Sequence, residues 1–249
     1  MGYDWPMSGG GERYLIRDAV AVVIDPMGGR GSGEAVAQVA LSTIEAELAQ
    51  SNDLVRAIEA ANAAVVKAAE APALRGAGCA VAALAVANAR ARVAWVGDVR
   101  VVRLRSGALE LLAPAHTLLA FYLEVVALTP EEVENFPHKT VLVRTLGMKA
   151  TVEVDTMTTT AEVADVFALI NDPVWGALGE AALKGTLRVH GSCPRECVAA
   201  ILDQVAAAGG QGTPTAVVVR VESTGLVVAG GSGGPTGVEA AALRVRLVG

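Results

Sequence analysis

The sequence predicts an α+β domain with sheets packed together and helices on the outside. Three observations point there. Hydrophobic residues make up 53% of the 249 positions and charged residues 18%, which suits a well-buried core. Apolar, β-branched runs of strand length recur along the chain. The helical patterns are grouped rather than alternating with the strands, which argues against a doubly wound parallel sheet. Aromatic residues are only 4%, so the core must be built from Ala, Val and Leu.

Ala19 to Ile24 reads as a buried strand that ends at Asp25, followed by the glycine-rich stretch Pro26 to Gly33. Glu34 to Gln50 has Val36, Val39, Ala40, Ile44 and Leu48 on one side and reads as a helix. A second helix follows from about Asn52, its expected N-cap, to Glu70. Gly78 to Ala87, Arg92 to Val96, Val99 to Arg105 and Ala108 to Leu112 form a meander, with turns at Asn88-Ala89 and Ser106-Gly107. Loop or helical material fills Ala113 to Lys139. Val152 to Met157 and Val163 to Ile170 are strands, Pro194 to Ala208 is a helix ended by Gly209-Gly210, and Thr215 to Val221 is a last strong strand. Gly230 to Gly234 has the composition of a linker, and Val238 to Leu247 is either an edge strand or an unpaired end. The expected organisation is an extension over 1–10, one domain over 11–222 and a tail over 223–249.

Several function classes are disfavoured. The formal charge is −6 and no Lys/Arg cluster stands out, so no nucleic-acid partner is expected. The apolar stretch Gly76 to Ala89 falls short of the roughly 20 residues of a membrane helix. The first 13 residues carry Asp4 and Pro6 with no apolar run, so neither a signal peptide nor a membrane association is expected. Cys79, Cys193 and Cys197 are too few for a disulfide framework, and the expected location is cytoplasmic. His116, His138 and His190 share no spacing and read as surface or satisfied residues.

Chemistry is suggested by acidic residues at the ends of apolar strands. Asp25 follows the first strand, Asp98 follows Trp95-Val96-Gly97, Asp172 follows Leu169-Ile170-Asn171, and Asp18 precedes the first strand. One such Asp usually caps a turn. Four of them fit the carboxylate oxygens that a hard divalent cation takes as ligands.

Five segments in order carry a more specific signal: Arg13 to Asp18, Asp25-Pro26-Met27-Gly28-Gly29, Gly97-Asp98-Val99-Arg100, Arg144-Thr145-Leu146-Gly147 and Asn171-Asp172-Pro173-Val174-Trp175. Together they resemble the signatures of the bacterial branch of the metal-dependent type 2C Ser/Thr protein phosphatases, from about Arg13 to Val221. The resemblance implies a four-layer α-β-β-α sandwich, two antiparallel sheets face to face with helices outside, and magnesium or manganese as cofactor. It assigns Asp25, the Pro26 carbonyl and Asp172 to metal binding, Asp18 to holding metal-bound water, and Arg13 to gripping the substrate phosphate. Asp98 is a spare carboxylate in the same set; Glu34 and Asp165 are other substitutes.

Departures from the pattern are as informative. Two family aspartates fall on Ala115 and Gly212, which offer no side-chain oxygen; Thr213 follows in place of an asparagine; Ile16 replaces a polar residue; and Pro26 and Pro173 replace glycines. Affinity for a hard cation tracks its charged oxygen ligands, so one ion or none is expected. The expected function is therefore a type 2C-like domain in Ser/Thr phospho-signalling that is catalytically impaired and binds a phosphoprotein or kinase. The alternative is an active Mg/Mn-dependent phosphatase with a reduced metal site. A more distant one is a nucleotide-binding module, from the glycine-rich turn after the first strand, although no P-loop is present. Glu131, Glu132 and Glu134 lie where the family carries a variable flap, and on that analogy could help to choose a partner.

Overall fold

A computed structural model describes residues 13–17, 20–28, 31–222 and 238–244, the first and last of these segments as backbone only. Expectations for the extension over 1–10, for the side chain of Arg13, for Asp18, Gly29 and Arg30, and for the glycine-rich stretch 230–234 lie outside the described residues.

Among the described residues, ten strands form two antiparallel sheets. The first has the order β1-β2-β3-β4-β7, from Arg13–Arg17, Val20–Met27, Gly78–Ala87, Arg90–Val96 and Asp155–Thr160. The second has the order β10-β9-β8-β5-β6, from Val238–Arg244, Thr215–Val221, Val166–Ile170, Arg100–Arg105 and Ala108–Ala113. Helices α1 (Ser32–Gln50) and α2 (Leu54–Ala68) cover the first sheet. After the short α3 (Leu118–Val125) and α4 (Pro130–Glu134), α5 (Asp172–His190) and α6 (Pro194–Ala207) cover the second.

The layers follow from the period-two alternation of side chains along each strand. In β2, Ala21 and Val23 face the other sheet, while Val22 and Ile24 pack under Val36, Ala40 and Ile44 of α1. In β8, Phe167 and Leu169 point into the sandwich, and Val166, Ala168 and Ile170 meet Leu183 and Leu187 of α5 and Ile201 of α6. The four-layer sandwich implied by the motifs is thus the observed architecture. Tight hairpins sit where the sequence marks them: Asn88 and Ala89 have φ of 52° and 56°, and Ser106 and Gly107 have 49° and 80°.

Some elements differ from their sequence reading. β2 continues beyond Ile24, with Asp25, Pro26 and Met27 paired to Ala80, Cys79 and Gly78, because β3 is long enough to extend the ladder. The N-cap of α2 is Asp53, not Asn52; its carboxylate accepts from Val55 N–H and Arg56 N–H. β7 begins at Asp155 rather than Val152, and Val152 and Val154 pack instead against the cluster between the first sheet and its helices. β8 begins at Val166, after a turn with Ala164 at φ 72°. Helix α5 was not legible: Pro173, Gly176, Gly179 and Gly185 interrupt the pattern, and the helix breaks at Gly179 (φ 65°, ψ 178°). The segment from Val238 is an edge strand, paired antiparallel with β9. The strand before the glycine-rich turn lies antiparallel between β1 and β3, so it does not open the parallel βαβ unit of a nucleotide-binding module.

Candidate active site

Four chain segments meet at one end of the sandwich: the end of β2 with Asp25, the β4–β5 turn with Asp98, the end of β8 with Asn171 and Asp172, and residues 212–213 ahead of β9. Asn171 joins three of them. It is fully buried; its amide nitrogen donates to the Thr213 carbonyl at 2.9 Å and reaches Asp25 Oδ1 at 3.4 Å, and its oxygen accepts from Thr215 N–H at 2.9 Å. Sequence reasoning placed Asn171 within a motif without giving it a role. The available signal was an amide at the end of the wholly apolar run Val166–Ile170, a position that demands partners.

Asp172 opens α5. One of its carboxylate oxygens accepts from Arg100 Nη1 at 3.0 Å. The Arg100 guanidinium lies 5.1 Å from the centre of the Trp175 ring, and its Nη1 is 3.4 Å from the Asp98 carbonyl. Trp175 is half-buried, packs against the core beneath α5 and offers a ring face to the cation, whereas Trp95 is buried and donates to the Pro114 carbonyl at 2.8 Å. Burial pushes the Asp98 carboxyl above its ordinary range, with the nearby Asp172 charge adding to this and Arg100 opposing it.

The positions that lack an expected ligand have clear surroundings. Gly212 has φ +87°, and a Cβ there would lie 3.2 Å from Pro173 Cγ. The two substitutions are therefore neighbours, and a side chain at 212 would press on the proline ring. Ala115 is buried beside His116. His116 is a satisfied residue: Nδ1 accepts from Gly97 N–H at 3.1 Å, Nε2 is 3.2 Å from Asp155 Oδ2, and the ring rests against Trp95. Burial, then the Arg144 charge, holds its pKa below the ordinary value, against the pull of Asp155.

The Arg144–Gly147 segment backs this end of the molecule. Arg144 pairs with Asp155 and Glu153, and Leu146 bridges to Cys79, the residue opposite Pro26. Asn62 of α2, buried to 1% exposure, clamps the segment by accepting from Gly147 N–H at 3.0 Å and donating to the Lys149 and Ala150 carbonyls at 3.1 and 3.2 Å. Of the substitute ligands, Glu34 is exposed on α1, and Asp165 lies at the opposite end of β8, where Arg105 holds it.

A divalent centre can be tested against these donors. Among the described residues no group of three His, Cys, Asp or Glu side chains comes together to hold an ion. Asp172 already gives an oxygen to Arg100, and Gly212 has no side-chain oxygen to give. The described donors do not fit a two-ion centre.

No family model matches the chain. Curated relatives do. The serine/threonine phosphatase stp of Listeria innocua is 26% identical over 183 residues, 69% of this chain and 73% of its own length. Protein phosphatase PhpP of Streptococcus pneumoniae is 26% identical over 170 residues, 64% of this chain and 69% of its own. Among solved structures, the Mycobacterium tuberculosis serine/threonine phosphatase PstP/Ppp superposes with a TM-score of 0.77 at 23% identity, covering 88% of this chain and 94% of that one. A catalytic domain of PstP in complex with two manganese ions gives 0.72 at 22%, covering 86% and 92%. The sandwich is the fold of the type 2C phosphatases among these solved structures. In sequence and in fold the chain is similar to the bacterial branch of that family, the metal-dependent PPM phosphatases.

Proposed function

We propose that this domain acts on proteins phosphorylated at serine or threonine, as a type 2C phosphatase with a reduced metal site. The observation that carries this reading is the sequence likeness to phosphatases over two thirds of the chain, with Asp25 and Asp172 retained at the ends of β2 and β8. The reaction is hydrolysis of a phosphomonoester. The oxygen of a water molecule bonds to phosphorus, the bond to the serine or threonine oxygen breaks, and that oxygen takes up a proton. By resemblance, Arg13 stands at the position that grips the phosphate, and Asp18, Asp25, the Pro26 carbonyl and Asp172 stand at the positions that would supply oxygens for magnesium or manganese, one oxygen of Asp172 being engaged here by Arg100. Asn171 supports the reading by fixing Asp25 relative to the β8 end.

A second reading has its own observation. Gly212 against Pro173, and Arg100 on Asp172, favour a domain that binds phosphoproteins, or the kinase that makes them, without efficient turnover. One experiment separates the two. The chain and its Asp25→Ala variant are assayed with manganese on a phosphothreonine peptide. Turnover abolished by Asp25→Ala supports the phosphatase. No turnover, together with micromolar retention of the phosphopeptide over its unphosphorylated form, supports the binding domain. Failure of both defeats both readings.

A further inference from the structure

We infer that α3 and α4 form a docking surface for an unphosphorylated protein segment that combines apolar side chains with Lys or Arg. Binding there needs neither phosphate nor metal, so it stands apart from the phosphatase reading.

The reason begins in α3. The run from Leu118 to Val125 has one charged residue, Glu124, in eight. A helix that is apolar all round is normally buried, yet none of these residues is buried. Phe121 is 54% exposed and Val125 69%, with Tyr122, Leu123, Val126 and Val141 also open to solvent. Eight residues are too few to hold a helix in water by themselves. The first turn of α3 is fixed by its neighbours: Thr117 Oγ1 accepts from Ala120 N–H at 3.2 Å, and Leu118 N–H donates to the Val141 carbonyl at 2.8 Å. The apolar side chains beyond that turn are left for a partner. The Tyr122 ring meets Phe121 at 6.5 Å and Phe136, just past α4, at 5.1 Å, which joins the two helices into one surface. Exposed apolar patches of this kind mark protein contacts, and aromatic side chains are their usual anchors.

Charge decides what the surface takes. Between Thr117 and Val143 stand Glu124, Glu131, Glu132 and Glu134 against a single Lys139. All four glutamates are exposed. Glu132 also serves α4 itself by accepting from Thr129 N–H, and Lys139 Nζ donates to the Glu134 carbonyl. An apolar surface rimmed by acid favours an apolar segment that carries positive charge. The same acid repels an anionic lipid surface, and a second copy of the chain would bring like charges face to face. At the base of the excursion the backbone is already paired, Thr117 with Leu142 and Val143 N–H with the His116 carbonyl. The segment is therefore gripped through side chains and not by adding a strand.

The test is a selection of random, unphosphorylated peptides displayed on phage, with the full chain as bait. Selected peptides are expected to carry Leu, Ile or Phe together with an excess of Lys and Arg over Asp and Glu. The strongest of them, labelled and followed by fluorescence anisotropy without metal, should bind Phe121→Ser/Leu123→Ser about tenfold more weakly. Glu124→Lys/Glu134→Lys should weaken it by about fivefold, and added salt should weaken its binding to the parent. Both glutamates lie in the last turn of their helices, where a lysine suits the helix dipole, so this variant decides if the serine variant does not fold. No enrichment, enrichment of acidic peptides, or binding that both variants leave within about twofold of the parent overturns the inference. So does a different occupant: a dimer in sedimentation, or retention on phosphatidylcholine–phosphatidylglycerol vesicles, that Phe121→Ser/Leu123→Ser abolishes. The peptides carry no phosphate, so a chain that fails the phosphopeptide assay can pass this one, and the reverse.

Discussion

Replacing Asn171 by alanine should be among the most damaging single changes in this chain. The side chain makes two hydrogen bonds of 2.9 Å, to the Thr213 carbonyl and from Thr215 N–H, in a fully buried position. Each is a net contribution of about 0.5–1.5 kcal/mol, and a buried group left without its partner costs about 1–3 kcal/mol. Alanine orphans both, and the space it leaves is small. The expected loss is about 3 kcal/mol, equivalent to a fall in Tm of about 6–12 °C for a domain of this size. Asn171→Asp sharpens the reasoning. It keeps an acceptor for Thr215 N–H but turns a second oxygen towards the Thr213 carbonyl and places a charge beside Asp25. At neutral pH it should be worse than alanine. The gap should narrow as the pH falls and the new carboxyl regains a proton it can donate. Thermal unfolding followed by circular dichroism between pH 4.5 and 8 measures both variants. A Tm of Asn171→Ala within 1 °C of the parent, or an Asn171→Asp variant as stable as the parent at pH 8, refutes the account of Asn171 as the tie between strand ends.

Three further outcomes are expected. Asn62→Ala removes three hydrogen bonds that hold Gly147, Lys149 and Ala150 to α2 and should cost about 2–4 kcal/mol in chemical denaturation, with faster amide exchange at Gly147 as the local signature. Burial pushes the Cys79 and Cys197 thiols up to about 12, whereas Cys193 is half-buried; a thiol reagent at pH 8 should therefore modify Cys193 first, and all three cysteines only after unfolding. The depressed His116 pKa means that the unfolded chain takes up its proton at a higher pH than the folded one. The stability tied to the neutral ring is thus full above the ordinary histidine range and is lost as pH falls through it towards the folded value, with Arg144, Asp155 and Glu124 as the surrounding charges. His116→Gln should flatten that part of the pH–stability curve measured in urea.

Much of the architecture was legible because it is written locally. The strand runs Gly78–Ala87 and Thr215–Val221 are apolar, bounded by turn residues, and recovered end to end. Asp25, Asp98 and Asp172 were legible for the same reason, since each comes at the close of such a run. What was hidden depends on contacts distant in sequence. β2 extends past Asp25 because of a partner more than fifty residues away. The role of Arg100 needs Asp172 and Trp175, which approach only when β5 and β8 pair side by side. Helix α5 was lost in its own glycines, and tertiary packing of Leu183 and Leu187 onto the sheet overrides that local weakness.

The alanine-rich β3 has an implication for how this chain can change over generations. Ala80 and Ala82 face one layer, Ala83 and Ala85 the other, and a Cβ at Gly97 would already stand 2.4 Å from that of Ala80. A strand walled so closely on both sides has little volume left to lose and none to gain. Enlarging substitutions there would have to move a whole layer, whereas trimming a peripheral Leu or Val removes one group at a time. Drift in this lineage should therefore leave the middle of the first sheet small and fixed, and accumulate instead at the rim.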